Sequence, residues 1–172
     1  MSSKTLLIGI SGVSSSGKTT LSRLLRDIFP NTFILHEDDF YWPDSQVPVK
    51  DGVQDWDCIE SLDVVGLQNA LRYIKERGQS PPDFQSKEDQ NSVGEVKVDE
   101  KVVEEWKKTV RATSQSRKGE VLRIGIIDGF LLFSEDMEEV WKQMDVRLFL
   151  RTEYVMSFHF MQNHRLLSCS IC

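Results

Sequence analysis

Apolar residues fall along this chain in two patterns. One is the short, nearly unbroken run: residues 6–10 (Leu6-Leu7-Ile8-Gly9-Ile10), 33–35 (Phe33-Ile34-Leu35), 121–127 and 145–150. Such runs predict strands covered on both faces, as in a parallel sheet. The other pattern is spacing by three and four, which predicts helices. Residues 21–29 follow it and stop at Pro30, which cannot continue a helix. Residues 59–77 carry Leu62, Val65, Leu67, Leu71 and Ile74 on or near one face, with Gly78 at the end. Residues 99–112 offer Val102, Val103, Trp106 and Val110 as a buried stripe. A short helix is expected over 135–142, and residues 151–154 begin another. Between these lie polar stretches: a loop over 43–58, an exposed and mobile insertion over 79–98, and a linker over 113–120.

The first strand leads into Gly12-Val13-Ser14-Ser15-Ser16-Gly17-Lys18-Thr19, which fits G-x-x-x-x-G-K-[ST]. The glycines let the backbone turn tightly and aim successive N–H groups inward, making a concave anion nest. Gly12, Ser14, Ser15, Ser16, Gly17, Lys18, Thr19 and Thr20 are therefore the expected phosphate contacts. Lys18 brings a point charge to the β- and γ-phosphates, and Thr19 a hydroxyl for Mg²⁺. The helix that follows sets its positive end under the phosphates. A strand before and a helix after are the context this motif requires, against the alternative of a plain Gly/Ser turn. The fold implied is α/β, a P-loop three-layer sandwich around a central parallel sheet.

Two acidic segments change the picture from binding to chemistry. Glu37-Asp38-Asp39 follows the second strand, where open α/β sheets place ligands. A kinase acting on a hydroxyl needs a carboxylate there, and Asp38 or Asp39 can serve. The run over 121–127 ends in Asp128, as a Walker B strand does, with its carboxylate for Mg²⁺. In the loop, Trp56 beside Asp57 suits a nucleoside: an aromatic face stacks on a base, and a carboxylate accepts from a ribose diol. The competing reading has Trp56 packed under the loop and Asp57 capping the next helix, three residues before Glu60.

These segments together resemble the nicotinamide riboside kinases, a branch of the uridine-kinase-like P-loop kinases. The resemblance rests on Gly12 to Thr20, Glu37-Asp38-Asp39-Phe40-Tyr41, Gln54-Asp55-Trp56-Asp57 and Ile127-Asp128-Gly129-Phe130-Leu131-Leu132-Phe133, within residues 4–155. It implies ATP and Mg²⁺ as cofactors and transfer of the γ-phosphoryl group to the 5′-hydroxyl of nicotinamide riboside, giving nicotinamide mononucleotide for NAD synthesis. It implies Asp38 as the base on that hydroxyl, Asp57 as the ribose ligand, Trp56 beside the nicotinamide ring, and Asp128 near Mg²⁺. Uridine or another nucleoside is the alternative substrate, and GTP the alternative donor. Similar kinases continue past Val155 into an Arg-rich helix and lid, then a strand and a closing helix. Here residues 156–172 keep only Arg165 of that arginine cluster. The expectation is one kinase domain over 1–172, incomplete at its C-terminal end, with an atypical tail at 156–172 and a sheet edge or apolar face left uncovered. An impaired nucleotide-binding protein lacking its lid is the reading from a different class.

Composition adds exclusions. The net charge of −6, from 21 basic and 27 acidic residues, gives no broad positive field to collect nucleic acid. No apolar stretch is long enough for a membrane span, and the first strand begins too early for a signal peptide. Three cysteines, Cys58 with Cys169 and Cys172, suggest neither a disulfide framework nor a metal site. A cytoplasmic monomer is expected, with the nucleus the other reducing compartment. A GTPase is disfavoured, because no N-K-x-D-type segment is present to read guanine.

Overall fold

The computed structural model describes residues 3–86, 98–116 and 121–152. Strand β1 (Ser3–Gly12) leads into helix α1 (Lys18–Ile28) and strand β2 (Thr32–His36). A small hairpin, β3 (Val49–Lys50) and β4 (Val53–Gln54), precedes helices α2 (Val64–Arg77) and α3 (Glu100–Ser116). Strand β5 (Val121–Gly129), a short α4 (Glu138–Trp141) and strand β6 (Val146–Leu150) follow. The four long strands form one parallel sheet in the order β2-β5-β1-β6. The four apolar runs of the sequence are these four strands.

Strand alternation sorts the core onto two faces. Leu7, Leu35 and Ile127 point to the side covered by Leu67, Leu71 and Ile74 of α2 and by Val140 of α4. Ile10, Ile34, Ile124 and Ile126 point to the other side, against Leu21 and Leu25 of α1. Leu67, Leu71 and Ile74 are fully enclosed. Each contributes about 1.5–3 kcal/mol relative to an exposed position. The register then brings one end of every strand to a common rim: Ile10 beside Asp128, His36 beside Asp128, and Gly12 beside Leu150.

Four expectations need correction. Helix α2 starts at Val64, not near residue 59, and residues Ile59–Ser61 form a separate 3₁₀ turn. Asp63, not Asp57, caps α2: its side chain accepts from the Gly66 N–H at 2.8 Å. Val65 lies on the solvent side of that helix, and Leu62 is buried in the segment before it. The predicted stripe on α3 also fails in part. Val103 and Val110 are half-buried, but Val102 and Trp106 are 46% and 56% exposed. Periodicity marks the apolar face of a helix; it does not supply an element to cover it.

The loop over 43–58 is more ordered than its composition suggests. It holds a 3₁₀ turn at Asp44–Gln46, the β3–β4 hairpin and a buried Val47. Of the insertion over 79–98, residues 79–86 and 98 are described, and Phe84 stacks on Phe40 at 5.5 Å. Residues 87–97, the linker over 117–120 and everything from 153, including the tail at 156–172 and Arg165, lie outside the described residues. Strand β6 forms an edge of the sheet as described, with Val146, Leu148 and Phe149 partly exposed.

Candidate active site

At the end of β1 the chain turns through residues 13–17, with the Ser16 N–H bonded to the Val13 carbonyl at 3.2 Å. Ser15 and Gly17 both take positive φ, 61° and 91°. That left-handed backbone is what glycine tolerates and what turns N–H groups toward a common centre. Gly17 is the N-cap of α1 and supplies no side-chain cap, so the first-turn N–H groups are not capped from that position. Lys18 reaches back over the loop, donating to the Gly12 and Val13 carbonyls at 3.0 Å each. Burial pulls its pKa down, while the charges of Asp128, Asp38 and Glu37 oppose that. Thr19 and Thr20 stand half-buried in the first turn of α1, and Ser14 and Ser15 are exposed on the loop. Ser16 Oγ is buried there without a hydrogen-bond partner.

The rim beside this loop gathers the acids. Asp128 is almost fully buried; its Oδ1 lies 2.6 Å from His36 Nδ1, and its Oδ2 accepts from Ser22 Oγ at 3.2 Å. Residues 37–40 form a 3₁₀ turn on the end of β2. Within it the three acids part company: Glu37 is buried, Asp38 is exposed and Asp39 half-buried. Burial without full compensation raises Glu37 from 4.5 to about 7, against the lowering effect of two backbone N–H groups. The acid beside the P-loop that faces solvent is thus Asp38, and it lies within electrostatic reach of Lys18.

The loop carrying Trp56 and Asp57 is fastened to the same turn. Phe40 O accepts from the Asp63 N–H at 2.8 Å, and the Trp42 N–H donates to Ser61 O at 2.9 Å. Tyr41 pairs with Leu62 through a backbone bridge. Its hydroxyl donates to the Trp56 carbonyl at 3.0 Å, and its ring meets the Trp56 ring edge-on at 5.5 Å. Ser61 Oγ lies 3.2 Å from the same carbonyl. Asp57 is exposed, with its N–H on Asp55 Oδ1 at 3.2 Å. Burial, then the charges of Asp38, Glu37 and Asp57, push the Tyr41 hydroxyl well above its usual pKa. The charge of Asp38 thus bears on both Lys18 and Tyr41, and Tyr41 is bonded to the Trp56 turn.

No family model matches the chain. It is 35% identical over 155 residues to a nicotinamide riboside kinase of Schizosaccharomyces pombe, covering 90% of this chain and 64% of the relative. It is 32% identical over 156 residues to that of Saccharomyces cerevisiae, covering 89% and 62%. The chain is similar to the nicotinamide riboside kinases over most of its own length. It spans a little under two thirds of the length of these kinases. The fold matches a solved structure described as a possible uridine kinase from Bacillus stearothermophilus, with TM-score 0.53 and 19% identity over 98% of this chain and 84% of that one. Such a likeness shows a P-loop kinase fold and nothing finer.

Sequence reasoning named Gly12 and residues 14–20 of the P-loop, together with Asp38, Trp56, Asp57 and Asp128, as candidates. It gave no role to His36 and Ser22, which hold Asp128, or to Glu37, which it named only within the acidic segment. No signal in the sequence pointed to their partners, which are 92, 106 and 93 residues away. Among the described residues, no group of three His, Cys, Asp or Glu could hold a metal ion by itself, and no helix is long and apolar enough to cross a membrane.

Proposed function

We propose that this chain is an ATP-dependent kinase that phosphorylates the 5′-hydroxyl of nicotinamide riboside to nicotinamide mononucleotide, a step of NAD synthesis. One observation carries the reading beyond the names of the relatives. The exposed carboxylate of Asp38 lies in electrostatic reach both of Lys18 and of the Tyr41 hydroxyl, which holds the Trp56 turn. A carboxylate near both the P-loop lysine and the loop that carries Trp56 suits a base acting between donor and acceptor.

Each group then has work suited to its place. The N–H groups of residues 12–17 and the Lys18 ammonium hold the β- and γ-phosphates, and Ser16 Oγ offers them a further donor. Asp38 accepts the proton of the attacking hydroxyl. Asp57 accepts from the ribose diol, and the Trp56 face stacks on the nicotinamide ring. A magnesium ion fits this donor set. One carboxylate and one hydroxyl are the sparse protein share it needs beside phosphate oxygens and water. Thr19 would bind it directly and Asp128 through water, since both Asp128 oxygens already have partners. Bound there, it would neutralise charge developing on the phosphates.

The test is a substrate panel. The purified chain is incubated with Mg·ATP and separately with nicotinamide riboside, uridine or cytidine, and monophosphates are read by mass spectrometry. Nicotinamide mononucleotide, lost in Asp38→Ala, is the expected result. Product mainly from uridine would reassign the acceptor. A folded chain that binds ATP but yields no product would leave a nucleotide-binding protein without transfer.

A further inference from the structure

Glu37 is an acid of the rim that this mechanism leaves unused, and it is the most enclosed of them, with no exposed surface. Its Oε1 accepts from the Phe130 N–H at 3.1 Å and the Leu131 N–H at 3.0 Å. Its Oε2 is buried without a hydrogen-bond partner and lies against Gly129, where any Cβ would collide with the carboxyl group. Glu37 immediately precedes Asp38, and Gly129 immediately follows Asp128. One side chain therefore ties together the two segments that carry the two acids, across a gap of 93 residues. The loop it holds is tied elsewhere too: the Ser134 N–H donates to Leu131 O at 2.8 Å, and Leu132 is fully buried.

Stability alone is a poor explanation for this group. A buried carboxyl with one oxygen unpartnered is costly, and an apolar side chain of similar volume would serve the core better. What an apolar residue could not do is grip two successive N–H groups and so fix one strand end against the other. We propose that Glu37 is a positioning residue for phosphoryl transfer: by holding the Phe130 and Leu131 N–H groups it sets Asp38 relative to Asp128, and hence the acceptor hydroxyl relative to the phosphates. The inference rests on the kinase reading above and adds to it a residue that touches neither substrate.

The experiment compares the full 172-residue chain with its Glu37→Ala, Glu37→Gln and Asp38→Ala variants. Affinity for a fluorescent ADP analogue, and kcat and KM for nicotinamide riboside and ATP, are measured well below the lowest melting temperature. Glu37→Ala should bind the analogue within about threefold of wild type and keep its KM for ATP, while kcat falls roughly 10- to 100-fold from misalignment. Glu37→Gln keeps the Oε1 acceptor and should recover kcat to within about fivefold, a rescue that burial alone would not give. A folded Glu37→Ala with wild-type kcat, or a Glu37→Gln as slow as Glu37→Ala, overturns the proposal while Asp38→Ala still abolishes transfer. A wild-type chain that binds the analogue and makes no product overturns the kinase reading, and the proposal with it.

Discussion

The two ends of the proposed site are built by different means. The phosphate end is one continuous stretch, residues 12–20, in which backbone N–H groups, a positive-φ glycine and a helix start do the work. Even the Lys18 ammonium is held by carbonyls five and six residues away. The acceptor end is an assembly of side chains. Asp38 sits on the 3₁₀ turn after β2, Asp128 on β5 and Trp56 on a loop, and Glu37, His36, Ser22 and Tyr41 lock them together. A site made of backbone tolerates side-chain change around it. A site made of distant side chains depends on each lock, so substitutions at the acceptor end should separate from nucleotide binding.

The comparison is broken most forcefully at Asp38. Asp38→Ala should lower kcat by about 10²- to 10⁴-fold, as loss of a general base does. ADP affinity by titration should stay close to wild type; a parallel loss of nucleotide binding would show that the two ends are one unit. The next effect is on stability. Glu37 titrates at about 7 in the folded chain against an ordinary 4.5, so the folded state holds that proton more tightly. Its contribution is complete below pH 4.5 and is lost as pH rises through 7, by on the order of 3 kcal/mol. Denaturant unfolding between these pH values should show the decline, and Glu37→Gln should flatten it.

Smaller effects sharpen the same contrast. Asp57→Ala should raise KM for nicotinamide riboside about 10- to 100-fold through lost charge-assisted bonds. It should leave KM for ATP alone. Since Asp57 caps no helix, its melting temperature should hold, whereas Asp63→Ala should cost about 1 kcal/mol of stability with both KM values kept. The reverse pattern would restore Asp57 as the cap. Least of all, Tyr41→Phe removes one of two donors to the Trp56 carbonyl. About 1 kcal/mol, a few-fold in nucleoside KM, is the expected loss by steady-state kinetics.

Legibility followed the same divide. The four strands were readable as apolar runs, since a strand covered on both faces has no polar side to interrupt it. The P-loop was readable because its geometry is local. Helix limits were less so: residues 59–63 continued the apolar spacing of α2, yet Asp63 stops the helix by bonding the Gly66 N–H. Trp106 was misjudged because its spacing matches a buried stripe while its surroundings leave it exposed.

The sequence by itself determined the phosphate end, the chain's sheet-and-helix order and which carboxylates belong near a strand end, because each depends on neighbours within a few residues. Only the tertiary structure decided the surroundings of those carboxylates. It buried Glu37 and left Asp38 exposed, although the two are adjacent. It put His36 beside Asp128 through strand register, and it tied Trp56 to Tyr41. Burial and hydrogen-bond partners set the chemistry of an acid, and they are supplied by residues that meet only when the sheet assembles.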